Sequence, residues 1–186
     1  IINFFKDYKF YILFIILASA VLVGGYFFSK SVKSSQIQAA KVLYEDWQVT
    51  LVQEDRDQLF QNLTENYSDT GYSHLALLKK GSDLAKENYL EESIDIFYQL
   101  KENSDGFFGN SLMNGIARVN IARISIALGK FEDALAVLEK YSKDEDAYTH
   151  ELKGDALSGV GKDDLALQQY QNAFEKYTDN LSLIHI

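Results

Sequence analysis

Three stretches of the chain follow one template, and that recurrence constrains the fold more than any other feature. Asn88-Tyr89-Leu90-Glu91-Glu92-Ser93-Ile94 is followed by Phe97 and Leu100. Gly129-Lys130-Phe131-Glu132-Asp133-Ala134-Leu135 is followed by Leu138 and Tyr141. Gly161-Lys162-Asp163-Asp164-Leu165-Ala166-Leu167 is followed by Tyr170 and Ala173. Each has a turn residue, a small residue five later, a large residue four after that, and a core-type residue three further on. Seven before each turn residue stands another small one, Gly81, Ala122 and Gly154, where two helices of a hairpin cross closely. One helical hairpin cannot bury its apolar face alone, whereas stacked hairpins bury a continuous core and form a curved groove. The absence of Pro suits a chain made almost wholly of helices.

The pattern resembles the tetratricopeptide family over roughly residues 72–177. That family's first-helix small residue falls at Gly81, Ala122 and Gly154, and its second-helix small residue at Ser93, Ala134 and Ala166. The aromatic four later falls at Phe97, Leu138 and Tyr170. There are departures: the early Trp position holds Leu77, Arg118 and His150, and no repeat ends in Pro. The intervals between the first small residues are 41 and 32 residues, against a family period of about 34. The long interval reads as a loop insertion around Gly106 to Asn110, the short one as a clipped turn. Further upstream, Ile37, Ala40, Tyr44, Trp47 and Leu51 recur at helical spacing, then the acidic turn Gln53-Glu54-Asp55, then Leu59, Phe60, Leu63 and Tyr67. These stripes form a fourth, more degenerate hairpin, closed off by a break at Ser68-Asp69-Thr70-Gly71. The expected fold class is all-α, a single N-terminal transmembrane helix followed by a tetratricopeptide-like α-solenoid of about four hairpins. The last stripe, Tyr170, Ala173, Phe174 and Tyr177, has no polar cap after it, so a further C-terminal segment is expected.

The transmembrane expectation rests on nineteen consecutive uncharged residues, Phe10 to Phe28. As a helix they reach about 28 Å, close to the hydrocarbon thickness of a bilayer. Tyr8, Phe10 and Tyr11 at one end and Tyr26, Phe27 and Phe28 at the other match interfacial aromatic belts. A cleaved signal peptide is the first alternative, with Ala18-Ser19-Ala20 as a formal cleavage site. That site lies mid-run, and the apolar core of a signal peptide is only about 7–15 residues. A buried core helix is the second alternative, and it needs apolar neighbours on every side. Ala20 and Gly24 form a small-xxx-small pair able to pack two anchors together. Orientation is undecided by charge, because Lys6, Asp7 and Lys9 precede the run and Lys30, Lys33 and Lys41 follow it. The chain begins with Ile, so residues upstream are expected. The domain organisation is therefore a flanking segment 1–9, a transmembrane helix 10–28, a serine-rich linker 29–35 and a repeat domain 36–180. Residues 181–186, Leu-Ser-Leu-Ile-His-Ile, resemble the translation of a sequencing adapter and carry no fold or site argument.

Charge and composition narrow the function classes. The net charge is −9, and residues 1–30 contribute +2, which leaves −11 on the remainder. So acidic a domain argues against nucleic acid and against an anionic lipid surface as partners. Without Cys there are no disulfides, thiolate metal sites or cysteine nucleophiles. His74, His150 and His185 lie in separate segments with no ligand histidine at i+4, and they read as packing or exposed residues. The carboxylate pairs Glu54/Asp55, Glu91/Glu92, Glu132/Asp133 and Asp163/Asp164, and the run Asp144/Glu145/Asp146, fall mostly at helix starts, where acids meet the helix dipole. Gly106-Phe107-Phe108-Gly109-Asn110 lacks the Lys-Ser/Thr ending of a phosphate loop. One of its two phenylalanines is expected to tuck into a neighbouring repeat and the other to meet a partner or the membrane surface. No catalytic, cofactor-binding or metal-ligating residue is assigned, and an enzyme is not expected.

The order of parts, together with Ala117-Arg118-Val119-Asn120-Ile121-Ala122-Arg123 and Gly154-Asp155-Ala156-Leu157, resembles the ancillary SecYEG translocon subunit family (YfgM-like). The resemblance implies a single-pass inner-membrane protein with its repeat domain in the periplasm. It also implies association with SecYEG and periplasmic chaperones, assisting exported proteins. The mechanism expected is binding of a partner segment in the solenoid groove. A tethered scaffold for envelope or division-machinery assembly is the alternative, and an adaptor facing the cytosol is left open by the lysines.

Overall fold

A computed structural model describes residues 2–107, 109–139 and 146–184. Phe108, Tyr141, Asp144, Glu145, His185 and Ile186 lie outside these residues, as does the clipped turn between the last two hairpins. Eight helices are present and no strand among the described residues: α1 (Ile2–Val49), α2 (Gln53–Asn66), α3 (Gly71–Lys86), α4 (Leu90–Asn103), α5 (Ser111–Ala127), α6 (Phe131–Glu139), α7 (Ala147–Gly159) and α8 (Asp163–Ile184). From α3 to α8 they pair in chain order, the all-α hairpin architecture that the recurring template predicts. The chain divides into two compact units, residues 1–63 and 64–186.

The first unit is dominated by α1, which runs for 48 residues through the apolar segment and the serine-rich stretch 29–35 without interruption. Once a helix is nucleated, each further residue adds a hydrogen bond, so a few serines do not end it. The helix is long and apolar enough to cross a membrane, and its apolar window is wholly unburied. Phe10, Phe14 and Leu22 are each exposed by 70% or more, so among the described residues the buried-core alternative lacks the apolar neighbours it requires. Further along, Ala40 and Trp47 are buried as the stripe predicts. The Trp47 and Phe60 rings bridge α1 and α2 with centroids 5.7 Å apart, and the Arg56 guanidinium lies over Trp47. Two expectations fail here. Leu51 does not extend the stripe; α1 stops at Val49 and Leu51 is 97% exposed. The acidic turn at 53–55 is instead the first turn of α2, where Glu54 and Asp55 face the positive end of the helix dipole.

In the second unit the three hairpins α3–α4, α5–α6 and α7–α8 are closed by the same turn. Asn88, Gly129 and Gly161 have φ of 65°, 73° and 73°. In each, the next N–H reaches back to the third-last helical carbonyl: Tyr89 to Leu84, Lys130 to Ser125 and Lys162 to Leu157, at 2.8–2.9 Å. This is the Schellman closure, which needs a left-handed residue and therefore favours Gly or Asn. Each first helix starts on a side-chain cap. Thr70 Oγ1, Asn110 Oδ1 and Asp146 Oδ1 accept from the N–H groups of Ser73, Met113 and Thr149. Each second helix starts with an acidic pair, Glu91/Glu92, Glu132/Asp133 or Asp163/Asp164.

The crossings explain the small residues. A Cβ on Gly81 would stand 3.0 Å from the Phe97 ring, and one on Gly154 would overlap the Tyr170 ring at 2.5–2.9 Å. In the middle hairpin the large position holds Leu138, and there the small residue is Ala122; both are fully buried. Ser93 Oγ donates to the Gly81 carbonyl at 2.7 Å and ties the first crossing together. The long interval between repeats resides in the 104–110 connection, where Gly106 has φ 95°.

Candidate protein-binding surface

The hairpins stack so that α4 packs on α5 and α6 on α7. In addition the first helices touch one another, α3 with α5 and α5 with α7, whereas the second helices α4, α6 and α8 make no such contact among the described residues. In a bent stack the layer whose members meet is the inside of the bend, so α3, α5 and α7 form the concave layer.

On each of these helices one stripe stays accessible, at spacings of three and four that hold it to one side of the helix. It comprises Leu75, Leu78 and Ser82 on α3; Ile116, Val119 and Arg123 on α5; and Tyr148, Glu151 and Asp155 on α7. Position by position the stripes form three rows across the layer. The first, Leu75–Ile116–Tyr148, is apolar. The second, Leu78–Val119–Glu151, is apolar until α7. The third, Ser82–Arg123–Asp155, is polar. Leu75 and Tyr148 are 39% and 36% exposed, and Ile116 between them is half-buried, so the apolar row is accessible along its length.

Electrostatics at the α7 end are set by two tyrosines of α8. Tyr170 donates to Asp155 Oδ1 at 2.8 Å, and Tyr177 to Glu151 Oε2 at 3.0 Å. Desolvation first, and then the Asp155 acceptor, push the Tyr170 phenol up to about 12. Tyr177 is raised for the same two reasons, with Glu151 as acceptor. The two phenols thus hold the carboxylates in place as hydrogen-bond acceptors.

The residues weighed for chemistry are scattered. His74 is buried in α3 with Nε2 3.2 Å from the Asn103 carbonyl. Burial lowers its pKa, outweighing the carbonyl contacts and Asp69 that favour the proton. His150 Nδ1 meets Gln169 Oε1 at 2.8 Å. Among the described residues no group of three or more His, Cys, Asp or Glu is placed to hold a metal ion. The described carboxylate pairs sit in the first turns of their helices, and Asp146 caps α7. In the 104–110 connection Phe107 is 95% exposed. Arg118 acquires a role that its sequence position did not reveal. Nearly buried at the early Trp position, it donates to Asn114 Oδ1 at 2.7 Å and to the Val137 carbonyl at 3.1 Å, fastening α5 to α6. The inner rows also went unread, since their residues share the helical period of the core.

Comparison with known families agrees with this architecture. The family model described as a tetratricopeptide repeat-like domain matches residues 3–185. No curated protein and no solved structure is significantly similar to the chain.

Proposed function

The chain belongs to the tetratricopeptide repeat-like family, and from that premise we propose that it is a membrane-tethered module that holds a segment of a partner protein on the inner face of its repeats. The observation that carries this reading is the accessible apolar row Leu75–Ile116–Tyr148 on the concave layer. Exposed apolar side chains gathered on a concave face are costly in water and are used where a partner covers them. Family membership implies protein partners in general, and an all-helical repeat fold is a binding scaffold rather than a catalytic one. The apolar half of α1 serves as the anchor, which raises the local concentration of the module at the membrane.

The finer reading is an ancillary subunit of the SecYEG translocon, with the repeats in the periplasm among chaperones and exported chains. It rests on the order of parts: apolar helix, serine-rich stretch, acidic repeats. The test is purification of the full chain from membranes in mild detergent, together with protease treatment of spheroplasts. SecYEG and periplasmic chaperones are expected in the eluate, and the repeats are expected to be digested from outside. Recovery of envelope-assembly or division proteins would favour the scaffold instead, and protection of the repeats would overturn the periplasmic placement.

A further inference from the structure

We infer that the inner face selects an amphipathic α-helix carrying a basic residue at the end that lies on α7. This deepens, and rests on, the reading that the inner face binds protein. Helices in contact lie about 8–10 Å apart, so Leu75, Ile116 and Tyr148 offer three apolar contact points at about that spacing. A strand covers this distance in about three residues, but residues three apart on a strand point to opposite faces. An α-helix returns a side chain to the same face at i+7, about 10.5 Å along its axis. A segment of about 15 residues or more with apolar residues one heptad apart therefore meets all three.

Charge then sets its direction. Among the described residues, Glu151 and Asp155 accept tyrosine hydroxyls and form no ion pair. One helix away, Arg123 donates to Asn120 Oδ1 and has no carboxylate partner among the described residues. The face thus runs from positive on α5 to negative on α7, and the complementary helix carries an acid over α5 and a base over α7. Such charges act on specificity and encounter more than on total affinity.

The test uses two fluorescent synthetic helices of about 18 residues with identical leucines at heptad spacing. One has Glu at its middle and Lys at one end; the other exchanges the two. Binding to the full chain in zwitterionic nanodiscs is followed by anisotropy at low salt, with empty discs as blank. The Lys-ended helix is expected to bind about tenfold more tightly, the equivalent of a few exposed charge pairs. Glu151→Gln with Asp155→Asn, which keeps both tyrosine acceptors, is expected to erase the preference. Asp163→Asn with Asp164→Asn, at the start of α8, is expected to leave it intact. Val119→Asp is expected to abolish binding of both helices. Equal affinities, or a preference that survives loss of Glu151 and Asp155, overturn the inference while leaving the binding reading standing, provided Val119→Asp still abolishes binding. Binding unaffected by Val119→Asp, or no binding by either helix, overturns both.

Discussion

The close crossing at Gly81 gives the sharpest test of the hairpin packing. In Gly81→Ala the new Cβ meets Phe97 Cε2 and Cζ at 3.0 Å and Ile96 Cγ2 at 3.3 Å. Carbon atoms prefer about 3.5–4.0 Å, and Phe97 is fully buried with nowhere to swing. Overpacking of this kind costs about 1–3 kcal/mol, while Ala in place of Gly inside a helix returns about 1 kcal/mol. The net expectation is a loss of about 1 kcal/mol. Phe97→Leu alone leaves a gap over Gly81 and costs roughly 1–2 kcal/mol, below the range for removing the whole ring. The double variant recreates the Ala122/Leu138 pair of the middle hairpin. Its loss is expected to fall short of the sum by about 1 kcal/mol, well above the additivity error of about 0.3–0.5 kcal/mol. The assay is urea unfolding of the full chain in micelles, followed by far-UV circular dichroism. Additive losses would refute the claim that a Cβ at position 81 and the ring at position 97 compete for one space.

Gly129→Ala and Gly161→Ala force Ala to φ 73°, so each is expected to lower stability by about 1–2 kcal/mol, while Asn88→Gly is expected to be neutral or slightly stabilising in the same unfolding assay. His74 has a folded pKa below its ordinary 6.5. The unfolded chain therefore takes up the proton first, and this contribution is full above about pH 6.5 and lost as pH falls through the folded value. Urea midpoints are expected to drop on acidification below pH 6.5 and to drop less in His74→Gln. Tyr170, held near 12 beside Asp155, is expected to be among the last phenols to ionise, and Tyr170→Phe should remove a high-pH step from an absorbance titration.

The hairpin turns and crossings were legible because their chemistry is local. A left-handed turn needs Gly or Asn, and a close crossing needs a small residue opposite a large one. Both requirements leave the same residue types at the same spacing, from Gly81 and Asn88 to Gly154 and Gly161. The ends of α1 were not legible in this way. Ser29 to Ser35 reads as a break by composition, yet helix propagation carries through it, and Leu51 keeps the helical period two residues past the end of the helix. The inner face was hidden for a different reason. Ile116 and Val119 follow the same period as the buried Ala117 and Ile121, and only the stacking of neighbours decides which residues are covered. Arg118 looked like a defect in the repeat, and its hydrogen bond to the Val137 carbonyl of the next helix makes it a fastening instead.

That the repeats bind protein on their concave layer is tested most directly by photocrosslinking in native membranes. A photoreactive residue at Val119 on the inner face is compared with one at Asp95, exposed on α4 of the outer layer. Discrete protein adducts from position 119 and background from position 95 are expected. Adducts from position 95 with none from 119, or none from either, would contradict the account.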